Sequence, residues 1–428
     1  MNFRRSSTLV LTALACMVAA AQTSDTAGAI RGVVKDHSSA AIAGAKVTIR
    51  NLDTGFMRTA VTDEHGLYLI GLLPVGDYEA TVTSGKFQTA RSSRLRVSLG
   101  ESVSLNFTLD SKEASAEVAV VAQASAVDAQ QINSFSSVSP DMVSAVPLNG
   151  RNFTDLVQLT PGAVANSQGY RTAVDGNRGV QNNLMIDGAS FNSQFAGEQR
   201  GGTRIPFSFG LDSIRELQVI TNAYDCQYGN ASGGIINAVT KTGTNEFTGM
   251  VATQIRPSSL VAREKPVPFD PTGVINTPSS LNRQFSQKEY AGNVGGPIIK
   301  DVLHYFVNVD YIHASTQSVP GVSPIAGGSS VAAYNIFTGP GGMGGMSSAN
   351  NGATINQEIS TPWTDDQKHW TLLARLDWAV NTENHASLRM NSQEYKGLND
   401  IYAGVRQSNR AYSAESTMKF GSTSWVAE

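Results

Sequence analysis

The chain has 428 residues and a net charge of −3. That length allows two or three domains, and the absence of a basic excess excludes a charge-driven nucleic-acid binder. Charged residues make up only 16%, which is low for a cytosolic enzyme and usual for a β-rich surface protein. There are two cysteines, Cys16 and Cys226. Cys16 lies in the leader described next, so no disulfide framework forms within a mature chain. Cys226 has no cationic neighbour in sequence and reads as an incidental thiol, not a nucleophile.

Residues 1–22 read as a secretory leader. Arg4 and Arg5 form its charged start, residues 9–21 are apolar and small, and Ala19, Ala20 and Ala21 offer a cleavage site. The expected signal peptide is residues 1–21. No apolar run of about 18 residues follows it, so a spanning helix is not expected; barrel strands would leave no such signal.

Short alternating runs then recur at 30–34, 45–49, 58–62, 67–70, 78–82, 94–98 and 103–107, with turns at 53–55, 63–66 and 73–77. This predicts a small β-sandwich over residues 27–110. The pairs Gly32 and Asp36, Gly44 and Val47, the set Thr62, Asp63, Gly66 and Tyr68, and the set Leu73, Pro74, Gly76 and Tyr78 resemble the carboxypeptidase regulatory-like domain. The resemblance implies a transthyretin-like or carbohydrate-binding-like fold without catalysis. His65 stands between acidic Asp63, Glu64 and a glycine; a polar turn explains it better than a metal site, since no second histidine has ligand spacing.

Residues 111–138 form an Ala-, Ser- and Val-rich linker. Its Glu117, Val118, Ala119, Val120 and Val121 are strand-like and read either as an ordinary strand or linker or as an extended segment open to strand addition.

Residues 139–243 read as a small α+β domain. Apolar Phe153, Leu156, Val157 and Leu159 predict a short helix stopped by Pro161 and Gly162. Residues 183–186 predict a strand running into an Asp187-Gly188 turn. Two further strands are expected at 214–220 and 235–240. The run containing Asn149, Gly150 and Arg151, the Asp187-Gly188 turn, and Tyr228, Gly229, Gly233, Gly234, Thr240, Lys241 and Gly243 resemble the plug of TonB-dependent outer-membrane receptors of the Oar-like type. That resemblance implies that residues 117–121 are a candidate TonB box, contacted by a periplasmic energy-coupling protein.

From 245 to 428 the alternation is strongest. Trp370, Leu372, Ala374, Leu376, Trp378 and Val380 fall on one face, with Leu373 as an exception on the polar face. After a turn at 381–384, Ala386, Leu388 and Met390 alternate with Ser387, Arg389 and Asn391. This predicts the first strands of a transmembrane β-barrel with an apolar outside. The run 294–301 resembles a turn of Oar-like barrels, and 257–284 and 315–365 read as long loops. Gly339, Gly341 and Gly344 match a dinucleotide fingerprint only formally: Pro340 interrupts it and no helix pattern follows.

Too few residues follow Thr240 for a barrel of 22 strands at roughly 10 residues each, so an N-terminal fragment is expected. The overall expectation is a mainly β protein with sandwich, plug and partial barrel, located in the bacterial outer membrane. Its expected partners are a TonB-type protein, outer-membrane lipid and an extracellular ligand (siderophore, oligosaccharide or peptide). No nucleic acid, cofactor, metal or catalytic residue is expected. The alternative is a surface glycan- or peptide-binding adhesion protein that uses the sandwich.

Overall fold

The computed structural model describes residues 26–111, 124–125, 134–146, 153–165, 172–192, 210–222, 229, 231–260, 285–318, 363–382, 384–398 and 415–427. The leader, the linker strand at 117–121, and Asn149, Gly150, Arg151 and Tyr228 lie outside these residues.

The N-terminal unit is a sandwich of nine short strands: β1 (Ala27–Asp36), β2 (Lys46–Asn51), β3 (Met57–Val61), β4 (Leu67–Pro74), β5 (Gly76–Thr83), β6 (Ala90–Arg91), β7 (Leu95–Val97), β8 (Ser102–Leu105) and β9 (Phe107–Leu109). One sheet has β1 between β4 and β8, with β9 also paired to β1. The other runs β3-β2-β5-β6, with β7 on β5. Period-2 alternation turns Ile30, Val34, Val47, Ile49, Tyr78, Ala80, Val82, Leu105 and Phe107 into one shared core. Buried Tyr68 is satisfied by donating its hydroxyl to the Leu105 carbonyl at 2.6 Å. The turn with His65 is held by Asp63, whose carboxylate accepts from the His65 and Leu67 amides at 2.9 and 2.7 Å. β10 (Ala124–Ser125) returns to pair with the edge of β8.

The second unit holds β11 (Ser134–Val138), helix α1 (Pro140–Ala145), a 3-10 segment at Phe153–Leu159, β12 (Ala163–Ala165), β13 (Thr172–Val174), β14 (Asn183–Ile186), β15 (Ala189–Ser190), β16 (Ile214–Asn222) and β17 (Ile235–Thr240). The sequence pattern missed α1. It has only six residues, too few for a readable apolar stripe, although Ser139 caps it and Pro140 opens it. The main sheet runs β11-β16-β17-β14-β15, with β14 parallel to β17. Phe153, Leu156 and Val157 pack on its Leu184, Leu217, Val219 and Ile236.

The third unit is an antiparallel meander of six strands in sequence order: β18 (Thr248–Pro257), β19 (Phe285–Ile299), β20 (Leu303–Ser318), β21 (Trp363–Ala379), β22 (His385–Leu398) and β23 (Glu415–Ala427). One face buries His304, Phe306, Asn308, Asp310, Thr371, Asp377, Arg389 and Asn391, and the other exposes Tyr290, Val294, Leu376, Leu388 and Met390. Tyr290, Tyr311 and Trp370 touch ring to ring at one level. Trp378 stands eight residues further along β21, about 26 Å at ~3.3 Å per residue. With strand tilt, that spacing suits an apolar band between two aromatic girdles. Leu373 departs from the alternation because its face is not wet at that level. It is 1% exposed and, with Phe306, joins the core of the second unit.

Two sequence readings shift. The run 294–301 is mostly strand: β19 continues to Ile299, and the turn is centred on Asp301, whose φ is +62°. Gly295 and Gly296 sit inside β19 because the rings of Phe306 and Phe247 lie where their side chains would be. The long loops are also trimmed at their ends, since β20 runs to Ser318 and β21 begins at Trp363.

Candidate functional site

The site is built around a two-residue hairpin turn. β14 and β15 pair with Ile186 opposite Ala189, leaving Asp187 and Gly188 as the loop. Both adopt left-handed φ, +47° and +75°, as such tight hairpins require. The turn carries the Asp187 carboxylate to the end of β17. There it accepts from the Thr240 amide at 2.8 Å and the Thr240 hydroxyl at 2.7 Å.

Two arginines of the six-stranded sheet close on the same carboxylate. Arg389 Nη1 reaches it at 2.7 Å and also donates to the Ile186 carbonyl at 2.7 Å. Arg375 Nη1 stands 3.3 Å from it and donates to the Thr240 hydroxyl at 3.0 Å. The rest of the Arg375 fork is occupied by Asp377, through Nε and Nη2, both at 2.9 Å. Burial alone would raise the Asp187 pKa. The facing Arg389 and Arg375, helped by the Thr240 bonds, outweigh burial and hold it below the ordinary carboxylate value. Two carboxylates and two guanidiniums thus balance in a buried cluster that spans the second and third units.

The other sequence-predicted residues split. Gly233 and Gly234 permit close approach: a Cβ would overlap the Asn182 side chain at one and Val174 at the other. Asn182 in turn accepts from the Gly234 amide at 2.9 Å. Lys241 takes part through its amide, which donates to the Ser213 carbonyl at 2.8 Å. At Gly243 the chain passes against β19 and β20 so tightly that a Cβ would overlap the Tyr305 carbonyl. Among the described residues, nothing lies within 4 Å of a Cβ placed at Gly229. Among the described signature residues, only Asp187, with Thr240, is brought to the arginines.

Sequence reasoning placed Arg389 on a polar face and gave neither it nor Arg375 a role. A signal existed. In the β21–β22 register Arg375 stands directly opposite Arg389. Like charges in that position repel, so an anion between them is needed. A carboxylate held by two guanidiniums and a threonine performs no bond chemistry. It makes a strong, directional contact in a dry place that water and a counterion can replace once it opens.

Comparison with known proteins gives this arrangement its context. Residues 29–110 match the carboxypeptidase regulatory-like domain family. The chain is 27% identical over 282 residues to the TonB-dependent transporter Oar of Myxococcus xanthus, an alignment covering 64% of this chain and 25% of that transporter. The chain therefore spans about a quarter of the length of that relative. Solved structures with similarity include the siderophore receptor PirA of Acinetobacter baumannii, at 17% identity and TM-score 0.45, covering 68% of this chain and 37% of PirA. The outer membrane transporter YddB of Escherichia coli matches at 12% identity and TM-score 0.48, covering 68% of this chain and 36% of YddB. The chain is thus similar over 282 residues to the TonB-dependent transporter Oar, and its N-terminal residues 29–110 match the carboxypeptidase regulatory-like domain family.

Proposed function

We propose that the chain forms part of an energy-coupled uptake receptor. Residues 139–243 are its plug, 245–428 supply barrel strands, and 27–110 are a periplasmic sandwich. The observation that carries this reading is the Asp187 cluster. A wide barrel needs its lumen stopped, and the stopper must be removable. Fastening it by a buried ionic contact meets both needs, because the contact is firm when dry and exchangeable with water when pulled open. The plug signature residues Asn149, Gly150, Arg151, Asp187, Gly188, Tyr228, Gly229, Gly233, Gly234, Lys241 and Gly243 belong to this reading.

The pull is assigned to the linker at residues 111–138. Glu117, Val118, Ala119, Val120 and Val121 are the proposed contact for a TonB-type partner through strand addition. The cargo class is a siderophore, an oligosaccharide or a peptide, bound on the extracellular side. No catalytic role is assigned.

The test is growth of cells carrying the receptor on a ferric siderophore, an oligosaccharide or a peptide as the sole iron, carbon or nitrogen source. Deleting residues 117–121 should abolish growth on the cargo while leaving the receptor in the outer membrane. Growth that persists after the deletion would remove the coupling assignment.

A further inference from the structure

The sandwich does not hang free of the plug. Its loops at one end close on β16 and β17. Buried Leu99 offers its backbone edge to two side chains of β16: Glu216 Oε1 accepts from the Leu99 amide at 3.3 Å, and Gln218 Nε2 donates to the Leu99 carbonyl at 2.9 Å. Together they imitate a β-ladder contact. Beneath them Val75, Leu99 and Val239 form a small closed apolar cluster that belongs to both units. Asp53 adds an ion pair to Arg215 at 3.2 Å, and its carbonyl accepts from the Asn245 amide at 2.8 Å. At the rim, the Phe56 ring meets His385 of β22 at 5.7 Å between centroids.

The strand that grips Leu99 is also the strand behind the Asp187 cluster. In the β16–β17 register Glu216 pairs with Val239 and Gln218 with Asn237, while Thr240, which holds Asp187, pairs with Ile214. Sandwich contact and plug–barrel contact therefore sit within one turn of the pleat on one strand pair. A rigid ladder transmits displacement between them, since strands move as paired units and not residue by residue.

We propose that the sandwich is a second fastening of the plug, gripping β16 at Leu99, and that release at Leu99 and release at Asp187 are energetically coupled through the β16–β17 pair. The roles of plug and sandwich rest on the uptake reading above; the coupling itself does not, because it needs neither cargo nor energy source to be measured.

The experiment is hydrogen exchange, read by mass spectrometry, on the full chain in lipid or detergent. Peptides covering residues 95–101 and 235–243 are followed in wild type and in Glu216→Ala with Gln218→Ala. The coupled arrangement predicts at least ten-fold faster exchange in both peptides. A sandwich-side variant, Asp53→Ala, guards against a plug that fails to fold; it should speed both peptides in the same direction by a smaller factor. Faster exchange at 95–101 with 235–243 unchanged would overturn the coupling. Unchanged exchange at 95–101 in both variants would overturn the grip itself. Loss of uptake without either exchange result would bear on the receptor reading alone.

Discussion

Asp187 and Arg389 meet at 2.7 Å although 202 positions separate them in the chain. Arg389 is 4% and Asp187 8% exposed, so both groups are largely withdrawn from solvent. Replacing Asp187 by Ala leaves buried Arg389 without its carboxylate, while Arg375 keeps Asp377. Breaking one side of a buried pair costs about 3–5 kcal/mol. The expected outcome is a loosely seated plug, read as increased permeability of receptor-bearing cells to a large antibiotic that the intact outer membrane excludes. Unchanged permeability would count against the cluster as a fastening.

Acid should act on the two fastenings in opposite senses. Asp187 is held below its ordinary pKa of 3.8, so its contribution is complete above that value and is lost only as pH falls through its lower folded value. Glu216 is raised above its ordinary 4.5, first by burial, against the opposing bonds from Ser137 and Leu99 and the charges of Arg215 and Arg96. The docked state therefore binds the proton more tightly. Sandwich docking strengthens as pH falls through the raised value, and this gain is fully present at and below 4.5. Exchange at residues 95–101 measured between pH 7 and pH 4, corrected for intrinsic rates, should slow on acidification in wild type. In Glu216→Gln that dependence should vanish.

The glycines of the plug exit should differ sharply. At Gly243 a Cβ meets backbone on several sides, including the Gly296 carbonyl and the Tyr305 amide, both at 2.8 Å. Backbone cannot rotate aside, so Gly243→Ala is expected to cost at least the ~1–3 kcal/mol of core overpacking. Gly229→Ala meets no atom of the described residues within 4 Å and should stay within ~0.5 kcal/mol. Chemical unfolding of both variants in the same lipid distinguishes the two cases; equal midpoints would contradict the close packing.

Met390 and Asn391 are neighbours on β22 facing opposite ways. Met390 is 49% exposed on the apolar face and Asn391 is 3% exposed on the face that meets the second unit. Met390→Arg should cost about 2–4 kcal/mol if that face meets hydrocarbon near mid-depth. Its signature is a penalty seen in phospholipid vesicles and reduced in mild detergent, measured by urea unfolding. A penalty of similar size in both media would argue against a lipid-facing surface.

The alternation of apolar and polar residues made much of the fold legible. It marked β2, β3, β5 and β7 within two residues and located β1 and β4 with shorter bounds, but it missed β6 and ran β8 and β9 together; the turns at Asp63 and Asp187 carried their own chemistry. Short elements escaped: α1 is too brief to show a period. The site was half readable. Asp187 stood out as a turn residue, yet nothing local says that its carboxylate faces Arg375 and Arg389, because that contact depends on how two distant units nest. Leu373 shows the same limit from the other side. It broke the alternation of β21, and its packing into the core of the second unit explains why an apolar residue belongs there.

The hairpin at Asp187 and Gly188 has one more implication. Left-handed backbone at both loop positions admits Asn, Asp and Gly with ease and little else. The residue that supplies the negative charge is therefore chosen from a list that the backbone has already shortened, and on that list only Asp is anionic. Glutamate would keep the charge but strain the bend; asparagine would keep the bend but leave Arg389 without its carboxylate. Shape and charge are tied to a single codon, so neither can drift without the other being lost.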